Sequence, residues 1–286
     1  MVRNLHYQNL SNKSIKIFTR SFSPTLYQLS SELYKNRGIE NVRFVDKSAE
    51  GFFEAILKDT SCDIAINIDE DAFVTDFSLL LDLVDFALKN QYANVGCPDY
   101  GLGCPRGGNP IITNPFFNIL NLQLIRTRYK NFKDIMNFDY ESHKFEMISK
   151  FPIEMYDDKN EIIKYFDVVE AEPYYPFFFW LAYNFKTYYL HNTFHQDKFS
   201  TIVFDNDSNI ICKHSWLARR YKIIKYHTKR INNLIKEVYY EQGLMIPKIT
   251  LLDKISIYLE LTIRYTVKIS YRIYRIHKKL FRLFSK

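Results

Sequence analysis

The chain has 286 residues, 47% of them hydrophobic and 25% charged, which suffices to bury a core in one large domain or two modest ones. The longest apolar run, residues 174–183, is too short to span a bilayer, and residues 1–14 lack the apolar core of a signal peptide. The four cysteines show no CxxC metal spacing, so reduced thiols are favoured, although Cys97 and Cys104 share one loop and could pair.

The net charge of +7 hides a division along the chain. Residues 213–286 carry 18 Lys and Arg against 4 Asp and Glu, a net charge of +14, whereas residues 1–212 carry 21 against 28, a net charge of −7. We therefore expect two domains, an acidic body over residues 1–217 and a basic helical extension over residues 218–286.

The first 90 residues alternate strands and helices. Strands are predicted at residues 14–19, 42–46 and 63–68, and helices are predicted to begin at Ser23–Pro24, at Ser48 and after Asp76. This order implies right-handed crossovers and a mostly parallel sheet in an α/β fold. Ligands of such sheets bind outside the carboxyl ends of the strands.

The stretch "CDIAINIDEDAFVTD", residues 62–76, delivers three carboxylates to such an end. Asp69, Glu70 and Asp71 follow the predicted strand directly, and crowded carboxylates repel one another unless they are solvated or hold a cation. An acidic turn that caps the next helix is the simpler interpretation. Asp76 already provides that cap, however, which leaves Asp69 and Asp71 without a structural role.

The middle of the chain contains a strand at residues 93–97, a loop rich in Gly and Pro, and a further strand at residues 114–125. The loop has no GxxxxGK[ST] pattern, which excludes a P-loop. Residues 127–170 are expected to be mostly helical. Asp167, Glu170 and Glu172 precede the aromatic segment, and a carboxylate beside apolar walls suits a general base, although these residues could equally begin a helix.

Residues 198–216 predict a β-hairpin whose turn is "DNDSN". This turn resembles the start of a calcium loop, but Ile210 occupies the position that requires Gly, and Trp216 the position of the bidentate Glu. A calcium loop is therefore excluded. His214 ends the second strand, as the carboxylates end theirs.

An Asp-x-Asp at a strand end ("INIDEDAFV"), an N-terminal α/β half, a Gly-rich loop and a late His resemble the GT-A fold glycosyltransferases over residues 14–217. The resemblance implies that Asp69 touches a nucleotide sugar and that Asp69, Asp71 and His214 form a site for Mn²⁺ or Mg²⁺. It also implies a nucleoside site at Phe18, Thr19, Arg20 and Asp46. Glu172 is the first choice of base, with Glu170 and Asp167 as alternatives.

The C-terminal residues pair a basic stripe with an apolar one at helical spacing. The basic stripe is Arg264, Lys268, Arg272, Arg275, Lys279, Arg282 and Lys286. The apolar stripe is Leu261, Tyr265, Ile269, Ile273, Ile276, Leu280 and Leu283. Such a helix suits the surface of an anionic membrane, which predicts attachment through residues 247–286. Packing onto the catalytic domain is the alternative, and nucleic acid is disfavoured because the acidic body would repel it.

We therefore expect a metal-dependent glycosyltransferase, cytoplasmic and peripheral on the inner membrane face, which moves a sugar from a nucleotide donor to a glycan or lipid-linked acceptor. A membrane-associated nucleotide-sugar-binding scaffold without turnover is one alternative. A phosphatase of the haloacid-dehalogenase type is another, but its motif prefers Thr or Val where this chain has Phe73.

Overall fold

The computed structural model describes residues 10, 12–99, 108–139 and 172–284, with only the backbone described for residues 268 and 271–284. The fold is mixed α/β, with a mostly parallel central sheet flanked by helices, consistent with a GT-A-like architecture and with the predicted fold class. Its six strands follow the order β2-β1-β3-β6-β5-β7, and only β6 runs against the other five.

The described strands are β1 (Ile15–Ser21), β2 (Glu40–Val45), β3 (Ile64–Ile68), β4 (Ala72–Val74), β5 (Asn94–Pro98), β6 (Thr113–Asn121), β7 (Thr187–Tyr189), β8 (Asn192–Phe194), β9 (Thr201–Phe204) and β10 (Ile210–His214). The described helices are α1 (Pro24–Ser31), α2 (Ala49–Lys58), α3 (Phe77–Lys89), α4 (Leu122–Arg126), α5 (Phe132–Met136), α6 (Tyr175–Asn184), α7 (Lys225–Glu241) and α8 (Leu251–Phe284).

The helix starts predicted from the sequence are confirmed by their caps. Ser23 accepts a hydrogen bond from the backbone of residue 26, and Ser48 accepts one from residue 51. Asp76 accepts from the backbone N–H groups of residues 78 and 79, so it does cap α3. These bonds satisfy N–H groups that the first helical turn leaves unpaired.

Successive side chains of each strand point to opposite faces of the sheet, so the hydrophobic core has one part on each face. Ile64, Ile66 and Ile68 of β3 pack on the face covered by α1, α3 and α7, whereas Ala65 packs on the other face with the aromatic residues of α2 and α6. There Phe53 stacks on Phe177, with ring centroids 4.8 Å apart. A strand buried on both faces is what the apolar run before the carboxylates predicts.

The strand expected at residues 114–125 ends earlier. β6 stops at Asn121, whose side chain accepts a hydrogen bond from the backbone of Leu124 and so begins α4. Its reversed direction could not be predicted from the pattern, because alternation does not encode strand direction. As a consequence, the start of β6 lies at the edge of the sheet where the parallel strands end.

The hairpin predicted at residues 198–216 is confirmed as β9 and β10, within a second sheet of order β4-β10-β9-β8. The Asp205 carboxylate accepts hydrogen bonds from the backbone N–H groups of Asp207 and Asn209, so the turn is stabilised by contacts within itself. β10 pairs with β4 so that His214 lies opposite Ala72. This pairing brings the late histidine next to the acidic stretch.

The first compact unit extends to Ile246, beyond the boundary expected after residue 217. Helix α7 belongs to this unit because it buries Ile231, Leu234 and Val238 in the core. Lys213 on β10, with only 2% of its side chain exposed, also donates to Glu237 of α7 at 2.6 Å. The boundary expected from charge therefore falls inside this unit, in which Lys225, Lys229 and Lys236 of α7 are exposed and Arg230 is buried, donating to the Ser200 hydroxyl.

The second unit, residues 247–286, contains α8. At 34 residues the helix is about 51 Å long. Along its described side chains, large apolar residues such as Leu252, Tyr258 and Tyr265 are exposed. Among the described helices of the chain, none combines the length and apolarity that a membrane span requires.

Candidate functional site

A cavity of about 670 Å³ opens where the strands of the central sheet end. The ends of β1, β2 and β3, the start of β6, the end of β10 and the segment after it all contribute to its walls. The lining residues are Arg20, Phe22, Asp46, Lys47, Ser48, Ala49, Glu50, Asp69, Glu70, Asp71, Asn114, Pro115, Phe116, Glu172, Pro173, Tyr174, His214, Trp216, Leu217, Ala218, Arg219 and Arg220. The cavity lies where open α/β sheets bind ligands.

The first two carboxylates after β3 are held by different partners. Asp69 accepts a hydrogen bond from the Arg20 guanidinium at 2.8 Å through Oδ2, while its buried Oδ1 has no hydrogen-bond partner among the described residues. Glu70 accepts the backbone N–H groups of Phe22 and Ser23 at 3.0 and 3.2 Å. Glu70 therefore fixes the turn from β1 into α1, a structural role that the sequence did not indicate.

The third carboxylate meets the late histidine. Asp71 Oδ2 lies 3.4 Å from His214 Nε2. The imidazole stacks on Phe116, with ring centroids 4.0 Å apart and planes 3° from parallel, and Trp216 lies edge-on to it. Both flanking rings restrict the imidazole orientation, so its Nε2 is directed at Asp71 by packing as well as by charge.

The three carboxylates differ in proton affinity. Burial raises the pKa of Asp69, with Arg20 opposing this effect and Asp71 adding to it. Burial, reinforced by the charges of Asp71 and Asp69, raises the pKa of Glu70 well above its usual range. Burial also opposes the charge of Asp71, but His214 and Arg20 outweigh it and lower the pKa of Asp71. Asp71 is thus the carboxylate that the site keeps ionised.

The donor atoms fit a divalent cation with two protein ligands. Asp71 Oδ2 and His214 Nε2, 3.4 Å apart, can both reach one cation with bonds of about 2.1 Å. Within the described ranges no group of three or more His, Cys, Asp or Glu side chains forms a metal cage. Two ligands suit Mg²⁺ or Mn²⁺ in a nucleotide site, where substrate phosphates and water supply the rest.

The residues predicted for the nucleoside divide into two pairs. Arg20 and Asp46 line the cavity. Phe18 instead lies in the core, stacked on Phe44, and the Thr19 hydroxyl is paired with that of Tyr34. The placement of Phe18 and Thr19 at the strand end was incorrect because β1 continues to Ser21, which moves the exposed end to residues 20–22.

Of the three candidate bases, Glu172 lines the cavity, three residues before the first residue of α6. Its backbone carbonyl accepts the N–H of Tyr175, which begins that helix. Glu172 thus contributes to the start of α6 through its backbone, while its role as a base stays a prediction. Asp167 and Glu170 lie outside the described residues.

Sequence reasoning missed the segment after β10. Arg219 lies over the Phe22 ring at 4.7 Å, and Arg219 and Arg220 both line the cavity. The Trp216 indole donates to the Thr201 hydroxyl at 2.6 Å. The signal was available, since "HSWLARR" follows His214 directly, but the two arginines were counted with the basic tail.

No family profile and no curated protein match this sequence. Solved structures that resemble it include A197 from STIV, with 14% identity over 69% of this chain and 92% of that one and a TM-score of 0.31. A glycosyltransferase involved in glycosylation of the major capsid of PBCV-1 has 14% identity, 42% and 64% coverage and a TM-score of 0.28. S. aureus TarS 1-349 has 11% identity, 79% and 65% coverage and a TM-score of 0.34. Glycosyltransferases are thus among the structures it resembles, and at these scores the functional argument rests on the site alone.

Proposed function

We propose that this chain is a glycosyltransferase that uses a nucleotide sugar and a divalent cation. The observation that carries the proposal is the pairing of Asp71 with His214, 3.4 Å apart, at the wall of a cavity of about 670 Å³. That volume falls within the usual range of small-molecule sites. An ionised carboxylate and an oriented imidazole are ligands that Mn²⁺ accepts.

The cavity also provides positive charge for a diphosphate. Arg20 lies on its floor beside Asp69, and Arg219 and Arg220 lie at its rim. A divalent cation at Asp71 would neutralise the charge that develops on a nucleoside diphosphate leaving group. The arginines would bind the same oxygens with charge-assisted hydrogen bonds.

The remaining residues receive binding and proton-transfer roles. We assign Asp46, Arg20 and Asp69, whose Oδ1 has no hydrogen-bond partner within the described part of the chain, to the nucleoside half of the donor. Glu172, which lines the cavity just before α6, would accept the proton of the acceptor hydroxyl if the reaction inverts configuration.

The test is hydrolysis of a panel of nucleotide sugars with Mn²⁺, with Mg²⁺ and with chelator. Asp71→Asn is compared with Asp76→Asn, because Asp76 caps α3 away from the cavity and Asn also caps helices well. We expect one nucleoside diphosphate to be released by the wild type and Asp76→Asn with metal, and none by Asp71→Asn. Near-normal release by Asp71→Asn would refute the metal assignment.

The same panel separates the alternatives. Tight, metal-dependent binding of a nucleotide sugar without any release, with and without glycan acceptors, would identify a binding scaffold. An aspartyl phosphate trapped on Asp69 would identify a phosphatase instead.

We further propose that residues 247–286 attach the enzyme to an anionic membrane, on the cytoplasmic face, where a lipid-linked or surface glycan would be the acceptor. The support is the exposure of Leu252, Tyr258 and Tyr265 on a helix whose sequence carries a basic stripe. A chain ending at Ile246, the end of the first compact unit, should sediment with anionic vesicles to a much smaller extent than the full chain. Undiminished sedimentation of that truncated chain would refute attachment through these residues.

A further inference from the structure

Apolar side chains are exposed at the rim of the cavity, in a segment that we call the rim patch, residues 217–229. Ile223 is 79% exposed and Tyr226 is 57% exposed, and Leu217 and Ile224 are also open to solvent. The first residues of this patch line the cavity. Single exposed apolar residues are common on protein surfaces, but four of them within ten positions beside a candidate active site form a patch.

The charge of the rim patch has one sign. Its basic residues are Arg219, Arg220, Lys222, Lys225 and Lys229. The thirteen residues include no Asp or Glu. The patch therefore combines aliphatic and aromatic groups with a net charge of +5, in a unit whose sequence before residue 213 is acidic.

The rim patch is held in place by the body of the protein. The Lys222 ammonium donates to the Thr25 hydroxyl at 3.1 Å, and its backbone N–H donates to the Thr228 hydroxyl at 2.8 Å. The Ile223 N–H donates to the Arg220 carbonyl at 3.1 Å. Lys222 has a φ of 62°, which residues other than Gly adopt rarely. The hydrogen bonds of Lys222 hold the turn that exposes Ile223 in this conformation.

We propose that the rim patch docks on an anionic lipid bilayer, so that the mouth of the cavity opens at the membrane surface. The exposed Lys225 and Lys229 would lie among the anionic headgroups, and Ile223, Ile224 and Tyr226 would enter the interface below them. A nucleic acid would also attract the charge, but it offers no apolar environment for an isoleucine that is 79% exposed. This inference rests on the proposed function only in naming the substrate class, which becomes an acceptor carried by a lipid.

The rim patch and the helix at residues 247–286 are different segments of the chain. A test of docking through the rim patch must therefore show which residues enter the bilayer. Ile223→Trp and Tyr240→Trp are prepared in the full chain, because Tyr240 is 85% exposed on α7 and does not belong to the patch. Each is mixed with vesicles containing anionic lipids brominated along the acyl chain. The fluorescence of the introduced tryptophan is obtained by subtracting the wild-type signal. We expect bromine to quench this fluorescence in Ile223→Trp and to leave it unchanged in Tyr240→Trp.

A second variant measures the contribution to binding. Ile223→Asp should weaken partitioning of the full chain onto anionic vesicles by roughly tenfold, because it removes an aliphatic group that would enter the lipid interface and introduces a negative charge there. Tyr240→Asp, which introduces the same charge outside the patch, should change it by less than about threefold.

Several outcomes would overturn the proposal. Absence of quenching at residue 223 while the protein cosediments would mean that other residues hold it on the vesicle. Equal quenching at both positions, equal binding to neutral vesicles, or binding to single-stranded DNA without binding to vesicles would each contradict docking through the rim patch. These readouts need no turnover, so a failure of donor hydrolysis remains separate from a failure of docking.

Discussion

The division of roles between Asp69 and Asp71 can be tested with two substitutions of the same kind, Asp69→Asn and Asp71→Asn. Asp71 is one of two candidate metal ligands, whereas Asp69 is neutralised by Arg20 at 2.8 Å. Loss of a residue that only orients a ligand typically costs 10- to 100-fold in metal affinity, so loss of a ligand itself should cost about 100-fold or more. Asp69→Asn should cost less than about tenfold.

For folding stability the order of the two variants should be reversed, with the larger loss in Asp69→Asn. At 2.8 Å and an effective dielectric constant of about 20, the Arg20–Asp69 attraction is about 6 kcal/mol before the cost of burying both charges. Breaking this pair leaves Arg20 buried with only the more distant Asp71 to offset its charge. We expect Asp69→Asn to lower the free energy of unfolding by about 2–3 kcal/mol, below the usual cost because Asn can still accept a hydrogen bond. Asp71→Asn loses its attraction to His214 but relieves repulsion on Glu70, and should change stability by less than about 1 kcal/mol.

The assays are a Mn²⁺ titration followed by water proton relaxation and urea unfolding with chelator present. The double variant Arg20→Met/Asp69→Asn completes a thermodynamic cycle, in which about 1–3 kcal/mol of coupling is expected between the two side chains. Equal losses of Mn²⁺ affinity in Asp69→Asn and Asp71→Asn would refute the division of roles. Additive stability changes in the cycle would refute the ion pair as the reason.

Glu172→Gln should reduce sugar transfer by roughly 100-fold or more while Mn²⁺ affinity stays unchanged, and normal transfer would remove it as the base. Lys213→Met should destabilise the fold by about 1–2 kcal/mol in urea because it removes the hydrogen bonds that the buried ammonium donates to Glu237 and Glu241, whereas Lys236→Met, exposed on α7, should be neutral. The pKa of Asp197 is lowered to about 2, because backbone N–H donors outweigh the effect of burial. Its stabilising contribution is therefore complete above about pH 4 and lost as the pH falls towards 2. Between about pH 4 and about pH 2, Asp197→Asn should lose less thermal stability than the wild type does, whereas the control Asp207→Asn should follow the wild type. If the melting temperatures of Asp197→Asn and wild type fall in parallel with pH, the lowered pKa of Asp197 is contradicted.

The strand and helix order of the first 90 residues was predictable because each element carries its own signal. β3 is apolar on both faces, and Ser23, Ser48 and Asp76 each begin a helix with a side-chain cap. These signals are local in sequence, so no knowledge of the partner elements is needed to interpret them.

The site was predictable in part. Asp69 and Asp71 were selected because Asp76 already supplied the helix cap, and His214 because it ends a strand as they do. The structure brings His214 to Asp71, since β10 pairs with β4. Arg219 and Arg220 escaped prediction because charge along the sequence does not reveal which surface a cation faces.

By itself, the sequence determined the α/β class, the caps of the first helices, the strand that delivers the carboxylates and the hairpin that ends at His214. Only the tertiary structure decided that β6 runs backwards, that α7 belongs to the first unit, and that the three adjacent carboxylates have three different partners. The physical reason is that periodicity and capping act over a few residues, whereas the ionisation of Asp69, Glu70 and Asp71 depends on burial and on charges that come from distant parts of the chain.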